Sequence, residues 1–160
     1  MLEEKRAGFI AVIGSPNSGK STLINHFIGQ KITIVTRKVQ TTRSVIRGIC
    51  IHEESQLVFS DTPGIFEPKR RLDRAMVEAA WGSSSDADII LFLYDAQKSR
   101  IDDETNKILD ELGQSTKKKI LVINKVDLLN NKTLLPLIKG FEAICSFDAT
   151  FIISALTGEG

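Results

Sequence analysis

With 160 residues, 21 basic and 20 acidic, the chain suits one domain with a real core and has no net charge to draw it to nucleic acid or anionic lipid. No apolar run approaches a membrane span, and the acidic start Met1-Leu2-Glu3-Glu4 is no signal peptide. Cys50 and Cys145 lie far apart in apolar stretches without metal-ligand spacing, which predicts reduced, buried thiols in a cytosolic protein.

The first predicted element is an apolar strand over residues 9–13. It runs directly into Gly14-Ser15-Pro16-Asn17-Ser18-Gly19-Lys20-Ser21 and then a helix-like stretch over 22–28. Strand, glycine-rich turn and helix N-terminus, in that order, are what a phosphate-binding loop requires: its backbone N–H groups converge on anionic oxygen. The amides of Asn17, Ser18, Gly19, Lys20, Ser21 and Thr22 are candidate phosphate donors. Lys20 is placed to pair with β- and γ-phosphate oxygens, and the Ser21 hydroxyl to ligate Mg²⁺.

Residues 30–43 follow, polar and rich in Thr, Lys and Arg. So long a connection in a compact domain is commonly functional. It is expected to supply a second Mg²⁺ ligand that engages only while a γ-phosphate is present; Thr42 is the first candidate and Thr41 the second. Loss of that contact would release the loop, an order–disorder switch.

Strands are predicted at 45–51 and 56–59, joined by His52-Glu53-Glu54-Ser55, a connection short enough to demand an antiparallel hairpin. The second ends in Ser60-Asp61-Thr62-Pro63-Gly64. A strand-terminal carboxylate makes Asp61 a candidate for the Mg²⁺ shell through water, and the Gly64 N–H a candidate sensor of the γ-phosphate. Leu72, Ala75, Met76, Ala79 and Ala80 then recur at helical spacing, with Trp81 read as core.

Strands at 89–94 and 120–123 flank a helix carrying Ile101, Ile108, Leu109 and Leu112. After the second strand comes Asn124-Lys125-Val126-Asp127. A carboxylate at Asp127 can accept hydrogen bonds from guanine N1–H and its exocyclic amine, which adenine does not present. Asn124 would brace the loop, and the Lys125 stem would lie along the base. Leu134, Leu137, Ile138 and Phe141 mark a further helix, with Pro136 admissible in its first turn. A last strand at 151–153 leads to Ser154-Ala155-Leu156, where a backbone N–H could meet guanine O6. His26 and His52 lack metal or nucleophile company and are read as structural.

The β–α alternation and motif order predict an α/β, three-layer P-loop NTPase G domain over residues 1–160. Its sheet would be six-stranded and mostly parallel with one antiparallel strand, with ligand loops at the carboxyl ends. Such a sheet needs cover on both faces. No helix pattern follows the last strand, so a final covering helix is expected to be missing and the chain to be a truncated piece.

These motifs resemble the Era-type GTPases. The resemblance rests on the phosphate loop, on Gln30-Lys31-Ile32-Thr33-Ile34-Val35-Thr36-Arg37-Lys38-Val39-Gln40-Thr41-Thr42-Arg43, on Asp61-Thr62-Pro63-Gly64, Asn124-Lys125-Val126-Asp127 and Ser154-Ala155-Leu156-Thr157-Gly158. It implies a GTPase acting in small-subunit assembly with 16S rRNA as partner, a C-terminal RNA-binding KH domain that has no counterpart here, and peripheral membrane association. This piece alone is expected to be monomeric and to bind RNA poorly. Ile65 stands where small GTPases place a water-orienting glutamine. The resemblance implies that this is the family's own pattern, so hydrolysis must lean on phosphate and metal electrostatics.

Asn17 has two readings: it holds a monovalent cation such as K⁺, as in related GTPases, or it merely tolerates the turn geometry. The basic groups Arg37, Lys38, Arg43 and Arg47, and Lys69, Arg70, Arg71 and Arg74, are solvated faces or contacts to RNA or protein. Two competing functions stay open: a non-hydrolysing guanine-nucleotide module, and a related GTPase acting in tRNA modification or large-subunit assembly.

Overall fold

A computed structural model describes residues 6–15, 17–30, 40–41, 44–61, 87–129 and 133–160. The strands are β1 (Arg6–Gly14), β2 (Gln40–Thr41), β3 (Ser44–His52), β4 (Ser55–Asp61), β5 (Ile89–Asp95), β6 (Lys118–Asn124) and β7 (Ala149–Ile152). The described helices are α1 (Lys20–Gln30), α2 (Asp103–Gln114) and α3 (Leu134–Ile144). All six expected strands are present in one sheet, ordered β2-β3-β4-β1-β5-β6-β7.

The addition is β2, two residues pairing Gln40 with Val45 and Thr41 with Ser44. Its polar residues carry no apolar alternation, the signal by which strands are found in sequence. The hairpin prediction holds: β3 and β4 are antiparallel, while β1 pairs parallel with both β4 and β5. The last strand starts two residues earlier than expected and ends at Ile152, although the Ile153 N–H still donates to the Ile123 carbonyl at 2.9 Å.

The sheet is central because its middle strands are apolar on both faces. Side chains alternate along a strand, so Ile10 and Val12 of β1, Leu91 and Leu93 of β5 and Val122 of β6 join Leu23 and Ile24 of α1 in one cluster. Ile13, the intervening Ile90, Phe92 and Tyr94, and Leu121 and Ile123 face the other way. They meet Ile108, Leu109 and Leu112 of α2 and Leu137 and Phe141 of α3. Phe141 receives Phe92 and Tyr94 edge-on, at ring-centroid separations of 6.2 and 4.8 Å. Each such contact adds about 0.5–1.5 kcal/mol beyond area burial.

Both cysteines are free and buried, as expected. Ile101 lies just ahead of α2 and still packs on the core, and Pro136 sits in the first turn of α3. At the outer edge, Phe151 and Ile152 of β7 remain about half exposed. The expected helix around Leu72–Ala80, with Trp81, lies outside the described residues.

The connection from β5 to α2 is held by a charged cap. Asp102 accepts the Thr105 N–H at 2.8 Å and the Lys98 ammonium at 3.1 Å. Burial works to raise its carboxyl pKa, but the Thr105 hydrogen bonds and Lys98 outweigh it and hold the group below the ordinary carboxylate value. A depressed folded-state pKa contributes stability above the unfolded value near 4, and that stability is lost as pH falls through the folded value. Asp102→Ala should therefore cost about 1 kcal/mol at pH 7. The deficit should shrink as urea titrations are taken below about pH 4.

Candidate functional site

The parallel strands end together. Val12 lies opposite Asp61, Gly14 opposite Leu93, Asp95 opposite Asn124 and Ile123 opposite Ile152. Chain connections leave β1 toward β4 on one side and reach β5 on the other. The loop after β1 therefore occupies the crevice where open α/β sheets bind ligands. A depression of about 300 Å³ lined by Arg6, Glu53, Glu54 and neighbours lies at the opposite end of the strands and takes no part.

The loop after β1 is built by close approach. A Cβ on Gly14 would stand 2.5 Å from the Leu93 carbonyl and 2.7 Å from Ser18 Oγ, so only glycine fits. Gly19 has φ +99°, and a Cβ there would meet the Asn124 amide nitrogen. Lys20, although charged, is 8% exposed: its ammonium reaches back over the loop and donates to the Gly14 and Ser15 carbonyls, each at 3.0 Å. Burying an ammonium is costly unless it is paired. An ammonium enclosed in this loop is a group that an oligophosphate would complete, and the Ser18 N–H is engaged within the loop, donating to the Ser15 carbonyl at 3.2 Å. Ser21 and Thr22 lie exposed in the first turn of α1.

Asn124 joins three loops. Buried at 2% exposure, it donates to the Ser18 carbonyl and accepts the Ala155 N–H, both at 2.9 Å. The expected brace is therefore present, reaching the phosphate loop on one side and the 154–159 turn on the other. The turn closes on itself through Ser154 N–H to Glu159 O and Gly158 N–H to Ser154 O, both 2.8 Å. Of the expected O6 donors, the Ser154 and Ala155 N–H groups are thus engaged within the protein. His26 is partly buried, its ring close against Gly158, in keeping with a structural role. His52 is exposed at the end of β3.

Lys125 adopts left-handed backbone, φ 67° and ψ 34°, which costs a non-glycine residue roughly 1–2 kcal/mol. Its ammonium is held at 2.7 Å from the Asn17 carbonyl and 2.6 Å from Asp95 Oδ2. Asn17 is itself at φ 62°. Lys125 precedes the short 3₁₀ turn Val126–Leu128, in which Asp127 is exposed. Sequence reasoning named Lys125 and Asn17 but missed Asp95. A carboxylate at a strand's carboxyl end, the signal used for Asp61, was equally visible there.

Asp61 ends β4 opposite Val12 and Val45. Thr42, Gly64 and Ile65 lie outside the described residues, as do the basic groups apart from Arg47. Among the described residues there is no cluster of three His, Cys, Asp or Glu suited to a metal. A metal here would rest on hydroxyl and phosphate oxygens, which suits hard, hydrated Mg²⁺ rather than a dedicated protein cage.

Because Asn124 satisfies a buried carbonyl and a buried N–H at once, Asn124→Ala should destabilise the nucleotide-free protein by about 2–4 kcal/mol. Guanidinium unfolding at constant m-value checks this.

Comparison with known proteins identifies the family. Residues 9–125 match the family model described as 50S ribosome-binding GTPase. GTPase Era of Bradyrhizobium sp. (strain ORS 278) is 54% identical over 155 residues, 97% of this chain and 50% of that protein. The chain spans about half the length of the curated relatives it matches. A crystal structure of Era in complex with MgGDPNP and nucleotides 1506–1542 of 16S ribosomal RNA superposes with TM-score 0.80 and 37% identity, covering 98% of this chain and 53% of that one. An Aquifex aeolicus Era variant bound to GDP and AlF4⁻ gives 0.78 and 39%, covering 96% and 53%. The family model spans most of the chain, and the Bradyrhizobium relatives are more than half identical to it: this chain belongs to the 50S ribosome-binding GTPase family, and within it is similar to GTPase Era over nearly its whole length.

Proposed function

We propose that the chain is the G domain, residues 1–160, of a longer protein that binds GTP and hydrolyses it to GDP and phosphate as a switch in small-subunit assembly. The observation that carries this reading is the buried Lys20 ammonium folded over the loop carbonyls, with the base loop bonded to the same loop through Asn124. The solved relatives hold MgGDPNP with a 16S rRNA fragment in one case and GDP with AlF4⁻ in the other, which supports both the substrate and the RNA partner. The family description points instead to the large subunit. The greater likeness to Era favours 16S rRNA, and competition binding of the two rRNAs to the full-length protein decides between them. We further propose cytosolic residence with peripheral membrane association, and a monomeric state for this piece.

In this reading the amides of Asn17, Gly19, Lys20, Ser21 and Thr22 line the phosphates, that of Ser18 joins them by leaving the Ser15 carbonyl it now meets, and Lys20 neutralises charge on the β and γ groups as the bond between them lengthens. Ser21, Thr42 and, through water, Asp61 hold Mg²⁺; when bound, the ion adds positive charge across the phosphate oxygens. The Gly64 N–H meets the γ-phosphate. Water attacks the γ-phosphorus, the bond to the β–γ bridging oxygen breaks, and GDP leaves without a covalent enzyme intermediate. With Ile65 in place of a glutamine, no side chain there can orient that water, so turnover is slow and electrostatic in origin.

Asp127 accepts from guanine N1–H and the exocyclic amine, and the Lys125 stem covers the base. Among Ser154, Ala155 and Leu156, the Leu156 N–H is the donor left for O6, since the other two are engaged within the protein.

Calorimetry of the chain with GDP in magnesium buffer tests the binding reading: heat of binding is expected, and its absence from folded protein would sink the proposal. Asp127→Asn should move preference from guanine toward xanthine nucleotides, because an amide donates where the carboxylate only accepted; competition between GDP and XDP reads the change. Asn17 is proposed to assist a K⁺ ion beside the phosphates, so phosphate release should run faster in KCl than in NaCl. Equal rates would remove the cation.

A further inference from the structure

We propose that Asp95 is a positioning residue for guanine recognition. Its carboxylate holds the Lys125 ammonium against the Asn17 carbonyl, so that the base loop and the phosphate loop are set as one unit. The inference rests on the guanine-site reading above and extends it to a residue outside the nucleotide-binding motifs.

Three observations carry it. Asp95 is the last residue of β5 and lies in register with Asn124, so the sheet itself delivers its carboxylate to the start of the base loop. The ion pair is short, 2.6 Å, with side-chain exposures of 26% for Lys125 and 13% for Asp95. A pair so enclosed is not the loosely screened surface kind that contributes little. Finally, Lys125 and Asn17 both sit in left-handed backbone conformations, and one ammonium joins them, bonded to Asp95 on one side and to the Asn17 carbonyl on the other. Left-handed backbone at a long side chain such as that of Lys125 persists only where its surroundings over-determine it, and Asp95 is the charged partner of that side chain here.

The bland alternative is that Asp95 merely caps the turn Ala96–Lys98, since its Oδ1 accepts the Gln97 N–H at 3.0 Å. Asp95→Asn separates the two, because an amide oxygen can still cap while the negative charge is gone. If Asp95 positions Lys125, the variant should release GDP about tenfold faster. Its preference for GDP over IDP should also shrink, because IDP lacks the exocyclic amine and so depends less on the exact placement of Asp127. General loosening of the fold would weaken both nucleotides equally and leave that ratio unchanged.

The experiment compares GDP and IDP dissociation from wild type, Asp95→Asn, Lys125→Met and the double variant, with urea unfolding of each nucleotide-free protein. The expected result is that Asp95→Asn adds nothing in the Lys125→Met background, since the two act as one unit. Unchanged GDP release, an unchanged GDP/IDP ratio, or additive effects of the two substitutions would overturn the positioning role alone. Wild-type protein that binds no GDP would overturn the function reading and this inference together, so the two failures are told apart by the wild-type measurement.

Discussion

One buried carboxamide organises this molecule. Asn124 stands at the end of β6, the neighbour of β5, which itself lies beside β1, and reaches across to a carbonyl 106 residues away in sequence while accepting an N–H from the turn after β7. Three loops that share no local sequence thereby become one surface. A backbone carbonyl or N–H buried without a partner costs about 1–3 kcal/mol. Asn124 relieves two such groups at once, so the loops keep a common geometry before any ligand arrives.

The sheet makes that reach possible. Parallel strands in register deliver their carboxyl ends to one edge, and the apolar layers on either face hold the strands at fixed spacing. In the proposed function, the same arrangement is how a chain of almost neutral charge would take a highly anionic ligand. Attraction does not come from net charge. In the proposed reading it comes from the enclosed ammonium of Lys20, held over the loop after β1, together with backbone dipoles at the start of α1, while the charge of Lys125 is matched by Asp95. Local placement outweighs composition because an interaction screened in water strengthens when water is excluded.

In the proposed hydrolysis, the absence of a glutamine at position 65, where the sequence has Ile65, fits the same scheme. A site that works by oriented amides and fixed cations loses only part of its catalytic power when one hydrogen bond to water is missing. What it cannot lose is alignment. The left-handed backbone at Asn17 and Lys125 represents conformational free energy spent on alignment, offset by the contacts that hold both residues in place.

Much of this was legible in the linear chain. Strand positions follow from short β-branched runs, and the antiparallel hairpin from a four-residue link. The phosphate and base motifs follow from residue types at fixed spacings, and all of these are local properties of neighbouring residues. The two-residue β2 escaped because it has no apolar alternation to betray it. Asp95 escaped because its meaning lies in register: nothing along the sequence says that the end of β5 sits beside Asn124. The sequence by itself determined which chemical groups the site would own and the order in which strands would present them. Only the tertiary structure decided that Lys20 folds back over its own loop, that Asn124 spends its amide on Ser18 and Ala155, and that Lys125 is clamped between Asp95 and Asn17. The contacts of Asn124 and Lys125 span 30 to 108 residues, and hydrogen bonds over such separations exist only once strand pairing has brought their ends together; those of Lys20 are local and follow from the fold of the loop itself.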